Sequence, residues 1–224
     1  MPSPATPFDQ VHETLVLGRR VHALCGHVSG LISRGSHVLD VGSGDGRVAA
    51  ELMRRRPDVR VEGIDVLVRR DAVVPTSAFD GKRIPYADGT IDTVLILDVL
   101  HHTDDPAVLL AEARRVAREA ILIKDHACDG VLAGPTLRLM DWVGNARFGV
   151  RLPHTYWPRR RWLTAFADLD LEVEVWRARL GLYPVPARWV FERSLHFLAR
   201  LRPRTALGAA HRRLDEVGAG SQRG

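Results

Sequence analysis

Hydrophobic and polar positions along the chain fall into two rhythms, short apolar runs and apolar residues at helical spacing, which alternate from about residue 36 onward. The stretch SHVLDV at 36–41 is an apolar run closed by a turn and predicts a first strand. GRVAAELMRRR after it predicts a helix whose buried side is Val48, Leu52 and Met53 and which stops before Pro57. VRVEGID alternates as a second strand should, and DTVLILDVL at 92–100 is almost continuously apolar, the pattern of a strand buried on both faces of a parallel sheet. DDPAVLLAEARRVA predicts a helix capped by Asp105, with Pro106 in its first position and Leu109, Ala113 and Val116 at helical spacing.

The next strand is predicted at AILIKD, 120–125. About thirty residues rich in Gly, Pro and aromatics then separate it from the helix RRRWLTAFADL, too long a connection to be ordinary and therefore expected to be a lid or binding loop. LEVEVWRARL and SLHFLARL return to strand patterns, the second with Leu195, Phe197, Ala199 and Leu201 on one side. Ahead of the series, residues 9–33 predict one or two amphipathic helices broken near Gly26 and Gly30 and lying outside the main sheet. The alternation predicts the α/β class. The domain layout expected is an N-terminal helical lid (1–35), a main domain (36–202) with a substrate cap near 127–158, and a frayed tail (203–224).

Composition narrows the picture. With 224 residues, 46% of them apolar, the chain can bury one sizeable core. It has no run of 18 uncharged apolar residues, and its start lacks the basic and apolar regions of a secretion signal, so a soluble cytoplasmic protein is expected. Cys25 and Cys128 are too few for a disulfide framework or a cysteine-rich metal site. The net charge of +5 is uneven, residues 151–224 carrying 14 basic and 7 acidic side chains. The basic residues are scattered, apart from Arg159–Arg161, and nearly all are arginine, as a GC-rich genome gives without functional demand; nucleic acid is therefore not the favoured partner.

The candidate chemistry begins at VLDVGSGDG. Three glycines, Gly42, Gly44 and Gly46, occupy the turn between the first strand and its helix, at the carboxyl end of the sheet where open α/β proteins bind ligands. The spacing lacks the third glycine of the dinucleotide fingerprint, which would fall at Arg47, and the Gly-Lys-Ser/Thr of a P-loop. Asp65 closes the second strand about twenty residues on, where a carboxylate accepts ribose hydroxyls. Two acids without a cluster of phosphate-binding basic residues suit a positively charged nucleoside, S-adenosylmethionine (SAM).

LDVGSGDG, GIDV and FDGKRIPYADGTIDTVLILDVLHHTDDP together resemble the class I SAM-dependent methyltransferases, in particular the small-molecule, type 11-like group, over about residues 36–126. Ile84, Tyr86 and Ile91 depart mildly from the group's pattern. The resemblance implies a Rossmann-like, seven-stranded, mostly parallel sheet with helices on both faces and an antiparallel last strand. It implies that Gly42, Ser43, Gly44 and Gly46 lie against the methionine part of SAM with Asp40 near its amino group. By the same resemblance Asp65 holds the ribose with Val66 beside the adenine, Asp80 bonds the adenine amine with Gly81 next to it, and Asp98 and Val99 line the wall below the sulfonium. Asp92 is expected only to cap or turn.

Methyl transfer needs an acceptor held against the methyl group and, for a hydroxyl or acidic carbon, a base. His101 and His102 follow the fourth strand and are candidates, although one of such a pair usually packs inward; Asp125 and His126 could orient a histidine or an acceptor, or cap the loop. No pair at helical spacing with a third ligand is evident, so no metal is expected. Leu137, Met140, Trp142, Phe148, Tyr156 and Trp157 suit an organic acceptor or form a satellite core beneath the cap, with Arg138, Asn145, Arg147 and His154 available for polar recognition. The function expected is methyl transfer to a small organic acceptor, at oxygen first and at carbon or nitrogen otherwise (EC 2.1.1.-), with biosynthesis of secondary metabolites as its setting. Two alternatives stay open: an RNA or protein methyltransferase, and a SAM-binding protein that transfers no methyl group.

Overall fold

The computed structural model describes residues 18–145, 155–185, 187–192 and 195–204. The seven strands are β1 (His37–Val41), β2 (Arg60–Asp65), β3 (Thr76–Ala78), β4 (Ile91–Leu97), β5 (Ala117–His126), β6 (Leu171–Arg177) and β7 (His196–Pro203). They form one sheet in the order β3-β2-β1-β4-β5-β7-β6. The pairings from β3 to β5 are parallel, and β7 runs antiparallel to both β5 and β6. This is the class I methyltransferase sheet that the resemblance implied.

The period-two alternation of the central strands decides which helix packs where. Leu39, Val41, Val94, Ile96, Ile121 and Ile123 point to one face, where α3 (Pro106–Val116) and α5 (Arg159–Asp168) cover them through Leu109, Leu110, Ala113, Trp162 and Phe166. Val38, Val61, Leu95 and Leu122 point to the other, under α1 (Gly18–Val28) and α2 (Arg47–Arg55). Buried on both faces, the strands read as continuous apolar runs.

Several elements differ from the expectation. α1 runs through Gly26 without a break, and the missing Cβ there leaves room for Arg55, whose guanidinium would lie 3.4 Å from a methyl at that position. Residues 9–17, part of the predicted helical stretch, lie outside the described residues. β3 escaped notice because three residues are too short for a periodicity signal. Within the expected loop after β5 stands a helix, α4 (Ala133–Asn145), which Pro135 in its first turn does not interrupt. Of the three residues expected on the buried side of α2, Leu52 is fully buried and Val48 and Met53 are partly so, with Ala49 completing the contact. The Asp105 cap is as expected: its carboxylate accepts a hydrogen bond from the Ala107 N–H at 2.9 Å, with Pro106 following it. A short helix, α6 (Arg188–Phe191), lies between β6 and β7.

Candidate active site

The turn after β1 answers to two demands. Gly42, Gly44 and Gly46 have φ of 74°, 58° and 77°, in the left-handed region that side chains disfavour. A Cβ on Gly42 would lie 2.4 Å from Val99 Cγ2 and one on Gly46 2.6 Å from Val74 Cγ2, so the protein's own valines crowd the outer glycines. Gly44 has open space, and its N–H donates to Asp65 Oδ2 at 2.8 Å, tying the bend to the end of β2. Ser43 sits over Gly63, where a side chain would meet its Oγ at 2.4 Å.

Asp40 supplies the clearest sign of a place suited to a cation. It is 3% exposed and has no hydrogen-bonding or cationic partner among the described residues. Burial, and then the negative charge of Asp65, push its carboxyl up to about 7. A buried carboxylate of this kind is relieved by a positive charge, and the amino group of SAM would bring one. Asp65 keeps hydrogen-bonding capacity beyond its bonds to the Gly44 and Leu67 N–H groups. The donor set and the bare turn therefore fit the cofactor.

Val66 and Gly81, both expected near the adenine, lie against each other. A Cβ on Gly81, at φ 76°, would lie 2.9 Å from Val66 Cγ1. Asp80 Oδ1 accepts from the Lys82 and Arg83 N–H groups at 2.8 and 2.7 Å, bonds that hold its carboxyl below the usual range and make it a turn former whatever else it does. Asp92 has a structural role, though not the cap or turn expected: it lies inside β4, accepts from the His37 N–H at the start of β1 at 2.8 Å and pairs with Arg118.

At the end of β4 the chain turns through Asp98, which is held at φ 58°, a conformation few residues other than glycine or asparagine adopt without strain. Lys124 Nζ donates to its Oδ1, and Arg20 of α1 donates to its Oδ2 at 3.0 Å. Burial works against the Asp98 charge, but Lys124 and Arg20 hold its carboxyl well below the usual carboxylate range. Burial also pulls the fully enclosed Lys124 ammonium down, against the attraction of Asp98.

His101 is 2% exposed, with Nδ1 2.7 Å from Asp125 Oδ1 and Nε2 3.6 Å from Asp141 Oδ1. Burial disfavours its charge, yet the two carboxylates prevail and raise it to about 10. Asp125 also accepts from the Leu100 and His126 N–H groups at 3.0 and 2.7 Å, so it both orients the histidine and caps the strand end, the two roles the sequence left open. His102 is half-buried, its ring centroid 3.9 Å from that of His101, and burial followed by the neighbouring charge pushes it down to about 4. His126 is 4% exposed and is pushed well down by burial and by the His101 and Lys124 charges.

In the cap, Leu137 is buried with Ala133 and Leu195, and Met140 and Tyr156 pack against them: a satellite core. Trp157 joins the main core. Phe148, Arg147 and His154 lie outside the described residues, as do the side chains of Trp142 and Asn145. The structure adds partners that sequence reasoning missed: Arg20, whose guanidinium lies 5.8 Å from the Tyr183 ring, Lys124, Asp141 and Tyr183 itself. Lys124 carried a usable signal, as one of two lysines in the chain, set inside the apolar run AILIKD and needing a counter-charge.

Residues 39–123 match a family model described as a methyltransferase domain. Among solved structures, a putative methyltransferase of Haloferax volcanii, in complex with the Trm112 methyltransferase activator, aligns at TM-score 0.64 and 17% identity over 90% of this chain and 96% of that one. A protein of Pyrococcus horikoshii OT3 aligns at TM-score 0.64 and 17% identity over 89% and 99%. A geranyl diphosphate C-methyltransferase of Streptomyces coelicolor A3(2), solved with Mg2+, geranyl-S-thiolodiphosphate and S-adenosyl-L-homocysteine, aligns at 0.61 and 15% over 82% and 76%. These likenesses establish the fold. The family match lies across the glycine turn, the end of β2 and the end of β4, so residues 39–123 are a methyltransferase domain and the enzyme is a SAM-dependent methyltransferase.

Proposed function

We propose that the enzyme moves a methyl group to a small organic acceptor, an oxygen nucleophile first and carbon or nitrogen otherwise, and that it works in the cytoplasm. Among the described residues no helix is long and apolar enough to cross a membrane. The basic run that would favour nucleic acid is partly engaged with the protein itself: Arg159 lies 5.0 Å from the Trp176 ring and Arg161 4.4 Å from the Trp157 ring.

SAM, when bound, supplies an electrophilic methyl group on a positively charged sulfur. Asp40, Gly42, Ser43, Gly44, Gly46, Asp65, Val66, Asp80, Gly81 and Val99 are the residues we assign to holding it. Asp98 is assigned to the wall beside it, where its fixed charge, set by Lys124 and Arg20, favours a cationic neighbour.

The observation that carries the acceptor side is the division of labour between the paired histidines. His101 is enclosed, with Asp125 on one ring nitrogen and Asp141 facing the other, so it is a positioning residue that does not reach an acceptor. His102 keeps partial exposure, and its Nδ1 has no hydrogen-bond partner among the described residues. We therefore give the proton-accepting role to His102 and its support to His101 and Asp125.

Calorimetric titration with SAM, followed by mass spectrometry of cell extracts incubated with enzyme and a labelled methyl donor, tests the reading. Asp65→Ala should weaken SAM binding at least tenfold. Wild-type affinity in that variant, or label carried only by RNA or protein, would overturn it.

A further inference from the structure

The two sides of α4 differ in an unusual way. Ala133, Leu137 and Asp141, spaced four apart, are buried, Leu137 against Leu195 and Asp141 toward the His101 ring. A helix packed on one side presents polar residues on the other when only water lies there. Here Leu139 stands exposed beside Arg138, and just ahead of the helix Val131 and Leu132 project, Val131 at 98% exposure. α6 packs beside α4, with Trp189 66% exposed, and Val185 ahead of it is exposed as well. Single apolar residues on a surface are ordinary, whereas a group drawn from neighbouring elements marks an interaction surface.

Positive charge surrounds that group. Arg138 and Arg188 belong to α4 and α6 themselves, are exposed, and have no ion-pair partner among the described residues. The start of α5 is tied to the same place: the Arg159 N–H donates to Asp129 Oδ2 at 3.0 Å, and the Cys128 N–H donates to the Trp157 carbonyl at 3.0 Å. Those bonds bring the run Arg159–Arg161, with Arg160 exposed, alongside residues 128–132. The nearby acids are occupied: Glu172 and Glu174 of β6 pair with Arg200 and Arg202 of β7, and Glu192 accepts from the Leu182 N–H. The basic surplus of residues 151–224 is therefore turned outward in part around an apolar face.

We propose that this face of the cap docks on an anionic lipid bilayer, with Val131, Leu132, Leu139 and Trp189 entering the headgroup boundary and Arg138, Arg160 and Arg188 meeting lipid phosphates. Elements that lie on membranes combine these two sets, apolar side chains for the boundary and basic ones for anionic headgroups. Tryptophan in particular favours that depth, where its ring is half in lipid and its N–H stays near water. Nucleic acid would engage the arginines and leave the aliphatic side chains in water. A second copy meeting this face across a two-fold axis would cover the aliphatic side chains but set the arginines against one another. The contact is with the bilayer surface, since among the described residues no helix is long and apolar enough to cross it. The proposal goes beyond the methyl-transfer reading and does not depend on it.

Cosedimentation of the full chain with vesicles tests it. Binding is expected to phosphatidylcholine vesicles containing phosphatidylglycerol, and it should weaken as salt rises and screens the arginines. Vesicles of phosphatidylcholine alone should bind roughly tenfold or more weakly. Trp189→Ala, and Val131→Asp combined with Leu132→Asp, should each weaken binding to the mixed vesicles by roughly tenfold or more. These positions are exposed, and an unchanged melting temperature in each variant shows that the fold is kept. No binding to the mixed vesicles, equal binding to both kinds, or unchanged binding in both variants would overturn the proposal. A dimer in analytical ultracentrifugation, or retention of RNA, that the same variants abolish would overturn it too, by naming a different occupant.

Discussion

The fully enclosed ammonium of Lys124 donates to Asp98 Oδ1, and Asp98 holds a left-handed backbone, φ 58°, to receive it. The lysine stands in the apolar middle of the sheet, where an unpaired charge is not tolerated. Its partner comes from the next strand's end.

Replacing Asp98 with asparagine should therefore destabilise the fold by about 3–5 kcal/mol, the usual cost of breaking a buried pair from one side. Asparagine accepts the left-handed backbone, so the loss isolates the charge. Chemical denaturation checks it; a variant within about 0.5 kcal/mol of wild type would mean that Lys124 is held neutral or hydrated.

Asp40 gives a pH dependence with a definite sign. Its folded carboxyl is raised to about 7 from an ordinary 3.8, so the fold favours the neutral form. The associated stability is complete below the unfolded value and is lost as pH rises toward about 7. Thermal denaturation of the cofactor-free protein should show Asp40→Asn gaining on wild type from pH 5 to about pH 7.5 and then keeping a constant lead. SAM affinity should move the other way, rising through the same range in wild type and losing that rise in the variant; parallel profiles would remove Asp40 from the cofactor site.

Gly42→Ala combines a left-handed φ of 74° with a Cβ 2.4 Å from Val99. A loss of about 2 kcal/mol or more in stability is expected, with weaker SAM binding because the turn must shift. Gly44→Ala meets no neighbour within 4 Å and carries only the backbone penalty of its φ of 58°. Calorimetry on the pair should rank Gly42→Ala as the less stable; the reverse order would mean that Val99 yields easily.

His102→Ala should leave SAM affinity intact and slow turnover by roughly 10²- to 10⁴-fold once an acceptor is in hand, the range for loss of a general base. Turnover equal to wild type in both this variant and His101→Ala would retire the histidine pair from proton transfer.

Much of the architecture was legible because burial on both faces imposes long apolar runs on parallel strands and helical spacing on their covers. The order of β1, β2, β4, β5 and the three helices between and after them followed from that alone. β3 was too short to show a period, and α4 was hidden by the glycine and proline around it, residues as compatible with a helix start as with a loop. The cofactor side was legible too, because the glycine turn and Asp65 are local, set by backbone conformation and strand position.

What the sequence alone determined, then, is what neighbours along the chain dictate: the strand and helix rhythm, the bare turn, and the carboxylates closing β1 and β2. The tertiary structure alone decided that His101 is enclosed and His102 is not, that Lys124 and Arg20 share Asp98, and that Asp141 stands between two histidines. These pairings join residues from 15 to 78 positions apart. Their strength comes from low dielectric and missing water, conditions that exist only once the sheet and its helices have closed over them.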